Sequence, residues 1–125
     1  MSKNKILIVD DEKIFLMAAK RELEQAGFDV TTALSGKEAV KIVETESFDI
    51  VFTDLAMPEM NGIEVCTQIK KLSPQTKVVL LSGEPEEIQK HLLDFLNAGG
   101  TDACLRKPLF NNELAEATKK ILNKL

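Results

Sequence analysis

This chain is poor in the residues that announce soft-metal and redox chemistry, with one histidine and two cysteines in 125 residues. Cys66 and Cys104 lie within apolar segments. They lack CxxC spacing and are too few for a metal site, so they read as reduced thiols packed as small hydrophobes. His91 falls on a helical pattern away from any strand end and reads as an ordinary surface or partly buried residue. An excess of positive charge is also missing. Sixteen Lys and Arg stand scattered among twenty Asp and Glu, for a net charge of -4, which leaves no basic stripe for nucleic acid and no polybasic patch for a membrane surface. No apolar stretch approaches the length of a membrane span, and the opening MSKNK runs into an apolar run too short for a signal peptide. The expected location is the cytoplasm. Repeats, low-complexity tracts and linkers are absent, so residues 1–125 read as one domain, and 44% hydrophobic residues suffice for a core.

What is present is an alternation. Apolar runs at 5–9, 50–53 and 77–81 suit strands buried on both faces, 28–33 alternates more and suits a strand nearer a sheet edge, and 103–105 supplies a fifth. Between them lie helical patterns with one apolar face each: Leu16, Ala19, Leu23 and Ala26, closed by Gly27; Ala39, Val40 and Val43, opened by Ser35 with Glu38 as a capping-box pair. Ile63, Cys66 and Ile69 follow Asn61-Gly62 and stop at Ser73-Pro74. Ile88, Leu92, Phe95 and Leu96 end at Gly99-Gly100, and Leu114, Ala117, Ile121 and Leu125 finish the chain. Five βα units with short links predict an α/β domain, a parallel sheet with right-handed crossovers and helices on both faces.

In such sheets a ligand sits outside the carboxyl ends of the strands. Four of the runs end there on chemically pointed residues: Asp10-Asp11, Thr53-Asp54, Ser82, and Arg106-Lys107-Pro108. Neighbouring strands are about 4.8 Å apart, so Asp10, Asp11 and Asp54 would repel one another without a cation. A hard divalent ion in an oxygen shell meets that need, and Mg²⁺ is the cytosolic candidate. Lys107 adds a charge suited to a phosphoryl oxygen, and one shielded carboxylate becomes a nucleophile toward phosphorus. Each residue also has a structural alternative. The Asp pair is a candidate helix N-cap, Asp54 before Met57-Pro58 a turn-former, Ser82-Gly83 a bend, and Lys107 a solvated charge. Their joint placement at one sheet edge favours the chemical reading.

Through ILIVDDE, VFTDLAMPEMNG, LLSG and LRKPL, the chain resembles the receiver domains of two-component response regulators over essentially its whole length, including the single-domain chemotaxis and sporulation regulators. The resemblance implies a flavodoxin-like sheet of order 2-1-3-4-5. It implies that Asp54 is the phosphoacceptor, that Asp10 and Asp11 belong to the acidic pocket, and that Asp11, Asp54 and the carbonyl of Ala56 bind Mg²⁺. Asp10 completes the expected metal-site acids. Ser82 takes the switch-hydroxyl position and Lys107 the phosphate-binding position. The donor implied is a phosphohistidine on a sensor histidine kinase or a histidine phosphotransfer protein. Ser82 is then expected to swing toward the phosphoryl group and reshape the face of helix four, strand five and helix five. That face would control a downstream protein or an output domain outside this sequence, with homodimerisation on activation as one mode. The chain is then a signalling phosphoacceptor that assists its own phosphorylation and dephosphorylation. A cis Lys107-Pro108 bond is implied as well.

The pattern departs from the family at several places. Cys104 stands where relatives carry the Tyr or Phe of an aromatic switch, which leaves Phe95 or Phe110 to a related packing role or to the core. Gly99-Gly100-Thr101 reads as extra length, Ser82 replaces the commoner Thr, and Leu109 stands where Phe is frequent. Ala56 and Glu84 flank the route of a hydrolytic water in the family, so motif presence leaves the phosphorylated lifetime open. A phosphatase of related fold would want a second acid two residues after the nucleophile, where Ala56 stands. A vestigial receiver acting as a phosphorylation-independent interaction module is the alternative function; it predicts lost pocket residues, and none is lost.

Overall fold

Alternate residues of each apolar run divide the core in two. Leu7 and Val9 with Val51, Val78 and Leu80 line one face of a sheet, and Ile6 and Ile8 with Ile50, Phe52, Val79 and Leu81 line the other. A strand covered by helices on both sides has no face left for polar residues, which is why these runs are continuous rather than alternating. The computed structural model describes residues 3–107, 109 and 111–123. Its strands are β1 (Lys5–Val9), β2 (Asp29–Ala33), β3 (Ile50–Asp54), β4 (Lys77–Ser82) and β5 (Cys104–Arg106). They pair in parallel in the order β2-β1-β3-β4-β5, the expected flavodoxin-like arrangement. The fifth strand begins one residue later than its apolar run, so Arg106 pairs opposite Ser82.

The helices are α1 (Lys13–Gln25), α2 (Gly36–Thr45), α3 (Gly62–Leu72), α4 (Pro85–Asn97) and α5 (Glu113–Asn123). Leu16 and Leu23 of α1 and Leu114 and Ile121 of α5 cover one face. Ala39 and Val43 of α2, Val65 and Ile69 of α3 and Phe95 of α4 cover the other. The expected capping box at α2 is half made. Ser35 accepts from Glu38 N at 3.1 Å, but the Glu38 carboxylate turns back to Leu34 N at 3.4 Å. The complete box is at α3, where Asn61 accepts from Glu64 N at 2.9 Å and Glu64 accepts from Asn61 N at 3.1 Å. None of the described helices is long and apolar enough to cross a membrane.

The fourth helix packs less fully than its apolar spacing predicts. Phe95 alone of its described side chains is buried; Ile88 and Leu92 are half-buried, and Leu93 and Leu96 are exposed. The edge strand β5 is three residues long and offers little sheet to cover. The helix is instead anchored at its C-terminal end. Gly99-Gly100-Thr101, read from the sequence as extra length, is the terminating turn: Gly99 has φ +101, Gly100 N donates to Phe95 O, and Thr101 N donates to Val78 O. A Cβ at Gly100 would overlap the Phe95 ring, so glycine here lets the turn close over that ring. Phe95 is thus a core residue. Pro108, Phe110 and Leu125 lie outside the described residues, and so do the cis peptide and the packing roles expected of them.

Candidate functional site

Three backbone hydrogen bonds fix the carboxyl edge of the sheet. Asp10 N donates to Ala33 O, Leu55 N to Leu81 O, and Lys107 N to Ser82 O. They tie the end of β1 to β2 and the ends of β3, β4 and β5 to one another, and β1 pairs directly with β3, so side chains distant in sequence converge there. Asp54 is the last residue of β3 and Ser82 the last of β4, both buried, while Asp10 directly follows β1 and is fully buried. One oxygen from each of Asp10, Asp11 and Asp54 lies within 4.8 Å of the others. Lys107 reaches in from the end of β5, with its Nζ 2.6 Å from Asp10 Oδ2 and 3.7 Å from Asp54 Oδ1.

The Asp pair is not the side-chain cap of α1. Glu12 holds the cap position without a side-chain bond, and Asp10 Oδ1 instead accepts from Glu12 N at 2.9 Å. Asp11 is exposed at the mouth. Ala56, also exposed, lies in the turn after β3. That turn closes back on the site: Gly62 N donates to Leu55 O at 2.9 Å, and a Cβ at Gly62 would lie 2.5 Å from Asp54 O. Only glycine lets the start of α3 approach the backbone that carries Asp54. Gly62→Ala is expected to cost about 1–3 kcal/mol through this overlap, and chemical denaturation would measure the loss. Wild-type stability would mean that the turn relaxes freely.

The pocket is electrostatically unbalanced toward negative charge. Among the described residues, Asp10, Asp54 and Glu12 gather around the Lys107 ammonium, and Asp11 stands beside Asp10 and Asp54. Burial pushes the Asp54 carboxyl up to about 6, against the pull of Lys107 and with the charges of Asp10 and Asp11 adding to the rise. For Lys107, burial works to lower the pKa, but the hydrogen bonds to Asp10 and Glu12 and the charge of Asp54 outweigh it and hold the ammonium above its ordinary range. All the donors are hard oxygens. An octahedral Mg²⁺ shell with bonds of about 2.1 Å separates ligand oxygens by roughly 3 to 4 Å, so a small closure from the 4.8 Å limit accommodates the ion. Both oxygens of Asp10 already accept hydrogen bonds, which leaves Asp11 and Asp54 as the freer donors.

Ser82 is engaged locally: its Oγ accepts from Glu84 N at 3.2 Å and donates to Glu84 O at 3.3 Å, at the point where α4 begins. Cys104 starts β5 and is half-buried, and His91 lies on α4 with Nε2 3.3 Å from Glu87 Oε2. Burial pushes the Cys66 thiol up to about 11, and burial followed by Asp102 raises Cys104, so both favour the thiol at neutral pH. Two pocket residues escaped the sequence reading. Glu12 Oε1 lies 3.2 Å from Lys107 Nζ, and the Phe15 ring centroid lies 4.8 Å from the same nitrogen. Their three-residue spacing puts both on one face at the start of α1, but only the fold brings Lys107 to that face.

The family described as Response regulator receiver domain matches residues 6–119. The alkaline phosphatase synthesis transcriptional regulatory protein PhoP of Bacillus subtilis is 37% identical over 120 residues, 96% of this chain and 49% of that protein. The chemotaxis protein CheY of Thermotoga maritima is 34% identical over 118 residues, 94% of this chain and 96% of that protein. The chain therefore spans about half of the first relative and nearly all of the second. A CheY-like response regulator receiver domain protein from Methanospirillum hungatei has a TM-score of 0.90 at 32% identity, covering 98% of this chain and 96% of that one. With the sheet order, the acidic edge and the family match in agreement, the chain belongs to the response regulator receiver domains of two-component signalling.

Proposed function

We propose that residues 1–125 form a receiver that takes a phosphoryl group from a phosphohistidine onto Asp54. The observation that carries this reading is the convergence of Asp10, Asp11, Asp54 and Lys107 at one sheet edge, with an ammonium 3.7 Å from the Asp54 carboxylate. An Asp54 oxygen attacks phosphorus, the P–N bond breaks, and the imidazole leaves with the bonding pair. Above pH 6 the carboxylate is largely ionised and nucleophilic. Lys107 balances charge on the phosphoryl oxygens, and the buried ladder around Asp54 fixes the direction of approach. Asp11, Asp54 and the Ala56 carbonyl, with Asp10 beside them, would hold Mg²⁺, which supplies charge neutralisation for the transferring group.

Ser82 couples the site to α4. A phosphoryl oxygen that attracts its hydroxyl competes with the Glu84 bonds, which clasp Ser82 to the start of that helix. The response then spreads through α4, β5 and α5 to a downstream protein or an output domain, with homodimerisation as one form of readout. A sensor histidine kinase or a histidine phosphotransfer protein is the proposed donor, and the cytoplasm the proposed location. The test is intact-mass analysis after incubation with a small-molecule phosphodonor, with and without Mg²⁺, beside metal titration of Asp11→Ala. One Mg²⁺-dependent phosphoryl group and a flat titration in the variant are expected. An unmodified chain, under conditions that modify a known receiver, would favour the phosphorylation-independent interaction module.

A further inference from the structure

The Lys107 ammonium is 12% exposed at its side chain and has three protons to place. Asp10 takes one at 2.6 Å and Glu12 another at 3.2 Å, while Asp54 Oδ1 at 3.7 Å is beyond hydrogen-bond reach. On a further side stands the Phe15 ring, its centroid 4.8 Å from Nζ, within the range where an aromatic face attracts a cation. A ring face stabilises the charge without the directional lone pair that a third carboxylate would bring. It therefore leaves a proton for a group arriving at Asp54. The ring is itself held from behind. Phe15 is half-buried, packs against the core cluster that includes Leu114, and lines a cavity of about 180 Å³ with Ala18, Ala19, Glu22, Leu109 and Leu114.

We propose that Phe15 is a positioning residue for phosphoryl uptake: its ring holds the Lys107 ammonium at the pocket mouth with one N–H free for an incoming phosphoryl oxygen. This rests on the reading of Lys107 as the phosphate-binding lysine. Leucine keeps the apolar bulk at position 15 but lacks the ring quadrupole, whereas tyrosine keeps both. The two substitutions therefore separate packing from cation attraction.

The test compares wild type, Phe15→Leu, Phe15→Tyr and Lys107→Ala for affinity toward beryllofluoride in the presence of Mg²⁺, and separately for Mg²⁺ alone. Phe15→Leu should bind beryllofluoride roughly three- to tenfold more weakly, tenfold corresponding to about 1.4 kcal/mol. Mg²⁺ affinity should stay within about twofold of wild type, and Phe15→Tyr should restore beryllofluoride binding. Proton NMR supplies a readout that does not depend on activity: the Lys107 Cε protons should be shifted upfield by the ring in wild type and Phe15→Tyr, and not in Phe15→Leu. Equal beryllofluoride affinity in wild type and Phe15→Leu, or no ring-current shift in wild type, overturns the proposal while leaving the phosphoacceptor reading in place. Equal affinity in wild type and Lys107→Ala overturns the reading of Lys107, and the proposal with it.

Discussion

Asp54→Asn is expected to accept no phosphoryl group and to be more stable than the wild type at neutral pH in the absence of Mg²⁺. The first effect follows from chemistry, because an amide offers no anionic oxygen to phosphorus. The second follows from the raised carboxyl. In the unfolded chain an aspartate titrates near 3.9, whereas burial first, with Asp10 and Asp11 adding and Lys107 opposing, puts Asp54 at about 6 in the fold. A raised acid binds its proton more tightly when folded. Its stabilising contribution is therefore complete below the unfolded value near 4 and is lost as pH rises to about 6. Above that the wild type carries an ionised carboxylate among other acids, and the amide removes this cost. Allowing for the open mouth of the pocket and screening by salt, the gain is about 1–2 kcal/mol, or roughly 4–8 °C in Tm. Thermal denaturation at several pH values measures it: the gap between variant and wild type should open from pH 4 to pH 6, and Mg²⁺ should narrow it by binding the wild-type site. A variant less stable than wild type at every pH would show that the ionised carboxylate supports the fold, and a variant phosphorylated stoichiometrically would move the acceptor elsewhere.

Lys107→Met should produce the largest loss of stability in the pocket, with a reversal on adding metal. Asp10 is fully buried and its Oδ2 has Lys107 Nζ at 2.6 Å, so the substitution leaves one carboxylate oxygen without its charge partner. Removing one member of a buried pair costs about 3–5 kcal/mol. The retained bond from Glu12 N to Asp10 Oδ1 places the expected loss here near 3 kcal/mol. Mg²⁺ and the lysine neutralise the same acids, so metal should raise the Tm of Lys107→Met by more than it raises that of the wild type. Beryllofluoride binding should fall even where metal restores the fold, since phosphoryl oxygens lose their ammonium. Equal metal-induced shifts in the two proteins would mean that Lys107 and the metal do not share those charges.

The order of strands and helices was legible because each run carries its own period. Ile6 to Val9 and Val78 to Leu81 are apolar throughout and had to be covered on both faces, while Leu16, Ala19 and Leu23 return at helical spacing. Asp10, Asp11, Asp54, Ser82 and Lys107 were legible as a group because parallel strands bring all their carboxyl ends to one edge. Other features were not. The loose seating of α4 depends on how short β5 turned out to be, and no local signal in Ile88, Leu92 and Leu96 reports the length of a neighbouring strand. The start of α5 is tied by Glu22 of α1, whose carboxylate accepts from Ala115 N at 2.8 Å across 93 residues of sequence.

By itself, then, the sequence determined the α/β architecture, the identity of the acidic edge and its placement on β1, β3, β4 and β5, because periodicity and strand polarity are local properties carried by consecutive residues. The tertiary structure decided how Lys107 is shared among Asp10, Glu12, Asp54 and the Phe15 ring, and that Ser82 rests on Glu84. It decided too that Gly62 must be bare to lie against Asp54. Those are distances between side chains brought together by packing, and packing distances are set by all the neighbours at once rather than by any one stretch of chain.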